Sequence, residues 1–269
     1  MKFMDDISNQ KKLNLSLCMI VKNEEKNLKK FLPNIMDIVS ELIVIDTGST
    51  DNTIKISEEF GAKIYNSKWE GDFAKLRNEV VNYAQSEWIL LIDADERITQ
   101  GLKNEIIKVI IDNSKYSGYF IPRKNYYFGK WLKFGGNYPD YQLKLFRKGK
   151  VVFKHPPIHP KYLVEGEIGY LKSPIEHFPY ENVEEYLKKF ELYTTFDAMF
   201  LKEKNVKINF LNTIRWIIIK PFIRFIKRYF LKFGFLNGIP GLFACIFDAL
   251  GYVIRYIKLW DIYRSEENK

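Results

Sequence analysis

The sequence predicts an α/β chain: a mainly parallel sheet flanked by helices, followed by a helical, membrane-associated extension. Three observations lead there. Apolar strand-like runs alternate with helical periodicity from residue 15 to about 111, composition shifts most clearly near 205, and positive charge gathers around and beyond that point.

The elements follow in order. LSLCMIV (15–21) reads as a buried strand, EEKNLKKFLPNIMDIV as a helix interrupted or restarted near Pro33, and ELIVIDTG (41–48) as a second strand. STDNTIKISEEFG carries a capping Ser or Thr and a closing Gly61, and AKIYNS gives a short strand. DFAKLRNEVVNYAQ has helical spacing, EWILLIDA is the next strand, and TQGLKNEIIKVIID another helix. Such a β-α-β-α-β-α-β series predicts a parallel sheet sandwiched by helices. Between about 116 and 180 the chain becomes rich in Tyr, Gly and Pro. Short pieces such as YFIPRK, QLKLFRKGKVVF and IGYLKS predict antiparallel additions and loops that wrap an active site. From about 183 the pattern is helical again.

A chain of 269 residues holds one large domain, or a domain with an appendage, and we expect a catalytic domain over 1–205 and a tail over 206–269. Cys18, inside an apolar run, and Cys245 read as reduced core thiols, which implies a reducing, cytoplasmic compartment. The N-terminus has early acids and an apolar run too short and too late for an export signal. A net charge of +9 implies an anionic partner. The sequence has no G-x-x-x-x-G-K-[ST] loop, G-x-G-x-x-G fingerprint, C-x-x-C pair or G-x-S-x-G elbow, which weighs against kinase, dehydrogenase, zinc-protein and esterase readings.

In an open parallel sheet, ligands bind beyond the carboxyl ends of the strands. Three strand ends are polar here: Lys22-Asn23-Glu24, Asp46-Thr47-Gly48-Ser49-Thr50-Asp51 and Asp93-Ala94-Asp95-Glu96. A D-x-D spacing turns both carboxylates to one side, where they can hold a hard divalent cation and a ribose hydroxyl. Acids also end strands as plain turn residues. Three polar ends opening on one crevice favour the site.

The stretches CMIVKNEEKNL, LIVIDTGSTDNTIKI, FAKLRNEVVNYAQSEWILLIDADE and GGNYPDYQLKLFRKG together resemble successive motifs of family 2 glycosyltransferases of the GT-A fold, over about 15–180. The likeness is greatest to the bacterial lipopolysaccharide-core β-glucosyltransferase group, whose tail FIKRYFLKFGFLNGIPGLFACIFDALGYVIRYIKLW also resembles, and is more distant to the catalytic half of bacterial peptide S-glycosyltransferases. The resemblance implies that Val21, Asn23 and Glu24 at the first strand end, with Asp46, Gly48 and Ser49, cradle the base and ribose of a sugar nucleotide. It implies that Arg77, with Lys75 and Asn78 in its motif, lies near the nucleotide, and that Asp93 and Ala94 touch the ribose or metal. Asp95 would bind Mg2+ or Mn2+ between the donor phosphates, with His159 as a further metal or pyrophosphate contact. Many members carry two acids where this chain has Asp46-Thr47. Asp140 in NYPDYQLKLFRKG resembles the acid that precedes an L-x-R-like helix in the wider family, where the catalytic base resides; a helix N-cap is the plainer alternative.

His155 and His159 in KHPPIHP stand four apart, but the prolines forbid the helix a two-His zinc face needs. His159 reads at least as readily as a loop or core histidine, His177 is the third histidine of the chain, and Arg147 and Lys148 read as phosphate partners or solvated surface.

Residues 202–234 hold nine Lys or Arg against one Glu. From Pro221 at a first helical position, Lys220, Arg224, Lys227, Arg228 and Lys232 follow one side, Phe222, Phe225, Ile226, Tyr229 and Phe233 the other, and Gly234 can stop the helix. That pattern suits the headgroup region of an anionic membrane, and no nucleic-acid motif accompanies it. The run 239–254 is short for a span and contains Asp248, so it reads as a second interfacial or packed helix. The sequence thus predicts an inverting, metal-dependent hexosyltransferase on the cytoplasmic side of the inner membrane. It would move sugar, glucose by resemblance, from a UDP-sugar to a lipid-linked or lipopolysaccharide-core-like saccharide. A peptide S- or O-glycosyltransferase and a non-catalytic scaffold are the alternatives.

Overall fold

The computed structural model describes residues 12–154 and 161–267. The chain forms two compact units: one takes the described residues up to Arg123 with Tyr141–Glu176, the other Lys124–Asp140 and the chain from His177 onward. Its elements are β1 (Leu13–Val21), α1 (Glu25–Phe31), β2 (Val39–Asp46), α2 (Thr53–Glu59), β3 (Lys63–Asn66), α3 (Phe73–Tyr83), β4 (Trp88–Leu91), β5 (Glu96–Ile98) and α4 (Gln100–Ile111). Then come β6 (Gly118–Tyr127), β7 (Lys130–Trp131), β8 (Asp140–Arg147), β9 (Val151–Lys154), β10 (Lys161–Val164), β11 (Ile168–Tyr170) and β12 (Ile175–Tyr180). The main sheet runs β3-β2-β1-β4-β8-β6-β12-β5. The first four strands pair in parallel, and β8 joins β4 antiparallel, with Trp88 opposite Arg147 and Leu90 opposite Leu145. The α/β layout, a sheet parallel through its first four strands with helices on both faces, is the one the sequence predicts.

In the first unit both sheet faces are buried, so β1 is apolar on both sides. Leu15, Leu17, Met19 and Val21 point into the layer holding Leu28 and Phe31 of α1 and Leu102 and Ile106 of α4; Cys18 points the other way, with Ile43 and Ile45 of β2 and Leu76 and Val80 of α3. Burial, and secondarily the charge of Glu41, pushes the Cys18 thiol well up, and both cysteines are free and buried, as inert core thiols are. Asp72 caps α3 by accepting Lys75 N–H at 3.0 Å, and Thr99 caps α4 by accepting Leu102 N–H at 3.3 Å. α1 ends in a 3-10 turn at Leu32–Asn34 that carries Pro33, the expected interruption. The cap of α2 differs from expectation: Asn52 holds the cap position with no side-chain cap bond, and Asp51 accepts Thr53 N–H at 3.0 Å in an Asx turn.

In the second unit α5 (Val183–Glu203) leads to a helical run of α6 (Phe210–Ile214), a π stretch at Arg215–Ile219, α7 (Lys220–Ile226) and a second π stretch at Lys227–Leu231. α8 (Gly238–Glu267) follows, and α5 and α7 pack on it. The helix therefore starts at Phe210, capped by Asn209, rather than at Pro221. Pro221 lacks an N–H and crowds the turn before it, and the widened π turn just ahead accommodates it. Phe233 is left-handed at φ +57°, and a Cβ on Gly234 would lie 2.6 Å from the Arg228 carbonyl, so the stop there needs glycine. α8 is longer than the expected 239–254; the run Gly234–Glu267 is long and apolar enough to cross a membrane by length and composition.

The expected array of Lys and Arg along one side of this helix is also corrected. Arg224 and Arg228 turn inward to Asp248, Arg228 at 2.8 Å, while Phe210, Leu211, Ile218, Phe222, Ile223 and Leu231 are exposed. A carboxylate fixed on α8 draws the guanidiniums in, which leaves the apolar side chains outside.

Glu41 knits the opposite edge of the parallel sheet. Its carboxylate accepts from Ser16 Oγ at 2.5 Å, Gln85 N–H at 2.5 Å, Ser86 N–H at 3.1 Å and Lys63 Nζ at 2.9 Å. Burial raises its pKa, but the bonds from Ser16, Gln85 and Lys63 outweigh it and bring the group down to about 2. A carboxylate depressed on folding stabilises above its unfolded range, about 4.3, and the gain is lost as pH falls through the folded value. Glu41→Gln should lower stability by about 3 kcal/mol near neutral pH. The difference, read from urea midpoints, should shrink steadily below about pH 4.

Candidate functional site

The carboxyl ends of β1, β2 and β4 lie side by side, with Val21 in register with Asp46 and Cys18 with Leu91. Across two strand spacings this sets the Asp46 and Asp93 backbones about 10 Å apart on one edge of the first unit.

The β1 and β2 ends are zipped together. Asn23, left-handed at φ +55°, donates its N–H to Ser49 Oγ at 2.9 Å and accepts Thr50 N–H on Oδ1 at 2.7 Å. Glu24 N–H donates to Thr53 Oγ1 at 2.7 Å, Glu25 N–H to Asp51 at 3.2 Å, and the Val21 carbonyl accepts from Thr47 N–H and Oγ1. Gly48, at φ +102°, and Ser49 donate N–H groups to Asp46 Oδ2 at 2.9 and 3.0 Å. Asp46 is 5% exposed, and its Oδ1 is buried with no hydrogen-bond partner among the described residues. An acceptor so placed calls for a donor from a ligand, because leaving it unmet costs about 1–3 kcal/mol.

The Asp93-Ala94-Asp95 turn is built on a triad of buried Lys144, buried Glu96 and half-exposed Asp93. Lys144 on β8 donates to Asp93 Oδ2 and to Glu96 Oε2, both at 2.7 Å, and Glu96, with no exposed side-chain surface, accepts Asp93 N–H at 3.0 Å. Arg123 lies 3.5 Å from the other Glu96 oxygen. Burial pushes the Asp93 carboxyl up, but Lys144, Arg77 and Arg123 outweigh it and hold the group well below the ordinary range. Arg97 donates to the Ala94 carbonyl at 2.7 Å and to Asn27, and burial lowers its pKa against the opposing pull of Asp95 and Glu24. Among the described residues no three His, Cys, Asp or Glu gather as a metal cage. Asp95 beside the triad still fits a hard cation that keeps several waters and takes phosphate oxygens as its other ligands.

The α3 residues of the expected set make contacts of their own, with Arg77 also near enough to Asp93 to lower its pKa. Lys75 pairs with Glu70 at 2.7 Å on the exposed side of α3; the Arg77 guanidinium lies 5.7 Å from the Phe153 ring centre; and Asn78 clamps the Phe153 backbone at 2.8 and 2.9 Å. Arg147 is turned to Glu87 and sits over Trp88, which corrects its reading as a phosphate partner. His155 and His159 lie outside the described residues.

Asp140 opens strand β8, as the β-like reading of QLKLFRKGKVVF anticipates, which removes the helix that the family likeness and the N-cap alternative would place after it. In the second unit Asn125 Nδ2 donates to Asp140 Oδ2 at 3.2 Å, and Asn125 Oδ1 lies 2.6 Å from His177 Nδ1. Sequence reasoning missed Glu96, Arg97, Arg123, Asn125 and Lys144. Lys144 alone gave a signal, a lysine inside an apolar strand run, where an unpaired charge could not stay.

The family model of glycosyl transferase family 2 matches residues 16–160, more than half of the chain. The chain belongs to glycosyltransferase family 2. With that family it is a glycosyltransferase, similar over 94% of its length to an uncharacterized glycosyltransferase of Rickettsia typhi, at 26% identity and covering 89% of that protein. It is 46% identical over 84 residues to a TPR repeat-containing protein of Synechococcus elongatus, a match that takes in 31% of this chain and 21% of that one. The structure of S. aureus TarS 1–349 superposes with a TM-score of 0.46 at 16% identity, covering 94% of this chain and 91% of that one.

Removing the ammonium from the triad should unbalance this family 2 turn. Lys144→Met leaves Glu96 buried and uncompensated and should cost about 3–5 kcal/mol in chemical denaturation. Pairing it with Glu96→Gln should restore a large part.

Proposed function

We propose that this glycosyltransferase is an inverting, divalent-cation-dependent hexosyltransferase. It takes the sugar, glucose by its likeness to the lipopolysaccharide-core group, from a UDP-hexose to a lipid-linked or lipopolysaccharide-core-like saccharide at the cytoplasmic face of the membrane. One observation carries the donor half of this reading: the partnerless Asp46 Oδ1 on the same strand edge as Asp93 and Asp95. A uracil N–H or a ribose hydroxyl is the donor that oxygen lacks, and Asn23, Gly48 and Ser49 hold the surrounding rim in place. Asp95, with Asp93 behind it, would hold Mg2+ or Mn2+, which when bound offsets charge growing on the leaving diphosphate. Lys144 keeps Asp93 ionised and fixed in direction. Asp140 is the candidate base for the acceptor hydroxyl, held through Asn125.

The membrane part of the reading rests on the second unit. Phe210, Leu211, Phe222, Ile223 and Leu231 expose more than half of their surface each, and Lys227 and Lys232 are exposed among them. Apolar groups with flanking lysines suit insertion to the headgroup and acyl boundary of an anionic leaflet.

Two measurements test the proposal. Thermal-shift and turnover screens over UDP-sugars, with Mn2+ and with EDTA, should give a metal-dependent response to one donor that Asp95→Ala abolishes. Asp140→Asn should keep donor binding while losing turnover by about 100-fold or more; normal turnover would remove Asp140 from the role. In flotation with phosphatidylglycerol vesicles, Phe222→Ser with Leu231→Ser should release the protein, and undiminished binding would contradict the membrane reading.

A further inference from the structure

The helical unit holds a half-open pocket of about 160 Å³, a volume that a six-membered ring can occupy. Its walls include Tyr127, Tyr180, Tyr186, Tyr193, Phe190 and Phe247. Two acid–base pairs complete them, Asp197 with Arg255 at 3.1 Å and Asp248 with Arg228 at 2.8 Å. We propose that this cavity is a sugar-ring subsite for the acceptor, an inference that rests on the glycosyltransferase reading above.

The charge decides against the other occupants. Each carboxylate is matched by a guanidinium, so the cavity favours neither a free cation nor a free anion. Four tyrosines and two ion pairs make it a poor berth for an acyl chain, whose burial there would strip polar groups of water with no return. A neutral ring with apolar C–H faces and a rim of hydroxyls satisfies both sets of groups. The C–H faces lie on aromatic rings, and vicinal hydroxyls meet carboxylate and guanidinium edges.

Position agrees with the role. Tyr127 and Tyr180 meet edge to face at 5.0 Å, on the strands whose Asn125 and His177 hold Asp140. Side chains two apart on a strand share a face, so Tyr127 stands about 7 Å beyond Asn125 on the same side. A ring in the cavity therefore lies within a saccharide's reach of the candidate base. Tyr186 is the centre of the wall, packing against Tyr180 at 4.6 Å and Phe247 at 5.2 Å, and burial first, then Tyr127 and Asp248, push its hydroxyl well up, which keeps it a neutral donor.

The test is saturation-transfer NMR on the full-length protein in detergent, with methyl glycosides of glucose, galactose and N-acetylglucosamine as probes and UDP observed in the same sample. At least one glycoside should receive saturation on its ring protons from the protein aromatics, and Asp197→Asn and Phe247→Leu should each weaken that binding about tenfold while circular dichroism stays unchanged. Glycoside signals indifferent to both variants, or absent for every glycoside while UDP binds, would overturn the subsite. Glycoside binding lost in the variants, in a protein that ignores UDP, would support the cavity and count against the donor reading alone.

Discussion

Carboxylates crowded at the end of a parallel sheet must be neutralised before they can do anything else, and the first unit is organised around that requirement. Strand β4 delivers Asp93, Asp95 and Glu96 within four residues. Like charges a few ångströms apart in a partly dry setting repel strongly enough to protonate one another or unwind the turn. The remedy is Lys144, carried on β8, which is laid antiparallel against β4 and sends one ammonium to both Asp93 and Glu96. Glu96 holds the turn, fixing the Asp93 N–H and meeting Arg123. Asp46 is handled by another route. The backbone N–H groups of Gly48 and Ser49 satisfy one oxygen and leave its twin unmet, which a compact fold tolerates only where something else arrives to meet it.

This explains which parts of the site were legible in the sequence. Strand ends are written locally: an apolar run followed by polar residues puts Asn23, Asp46 and Asp93 where β1, β2 and β4 stop, and parallel pairing aligns them. Helix ends marked by Asp72, Thr99 and Gly61 are equally local. The partners that set charge are long-range. Lys144 is 51 residues from Asp93, and nothing in either segment states that β8 will lie beside β4. The strand after Asp140 is legible in QLKLFRKGKVVF, but whether the acid caps a helix or opens a strand is not, since an acid before apolar residues is common to both.

The second unit went wrong in an instructive way. Charge counted along 202–234 assigns every lysine and arginine to an anionic surface, but Asp248, on α8 and outside that window, converts two of the arginines into interior groups. Burial raises the Asp248 pKa, yet Arg224 and Arg228 outweigh it and keep the carboxylate ionised, so the network holds as paired charge. Helical periodicity then works in reverse. With one face committed to Asp248, Gly135 and Asn137, the phenylalanines and isoleucines of the opposite face have nowhere to go but out.

A face of that kind is costly in water, at roughly 25 cal/mol for each Å² of apolar surface left exposed. The interior of this unit does not need it, because α8 already closes against α5 and α7 through Gly241, Ala244, Ala249 and Gly251, residues small enough for close helix approach. The exposed side chains are also not the flexible kind that a chain scatters singly over its surface. Leu211, Ile218 and Phe222 recur at intervals of seven and four along one helical run, spacings that return to nearly the same side of a helix. Such a stripe recovers its cost only when it leaves water. The lysines left over from the Asp248 network, Lys227 and Lys232, stand among these apolar side chains, where an anionic surface would meet them as the apolar groups enter.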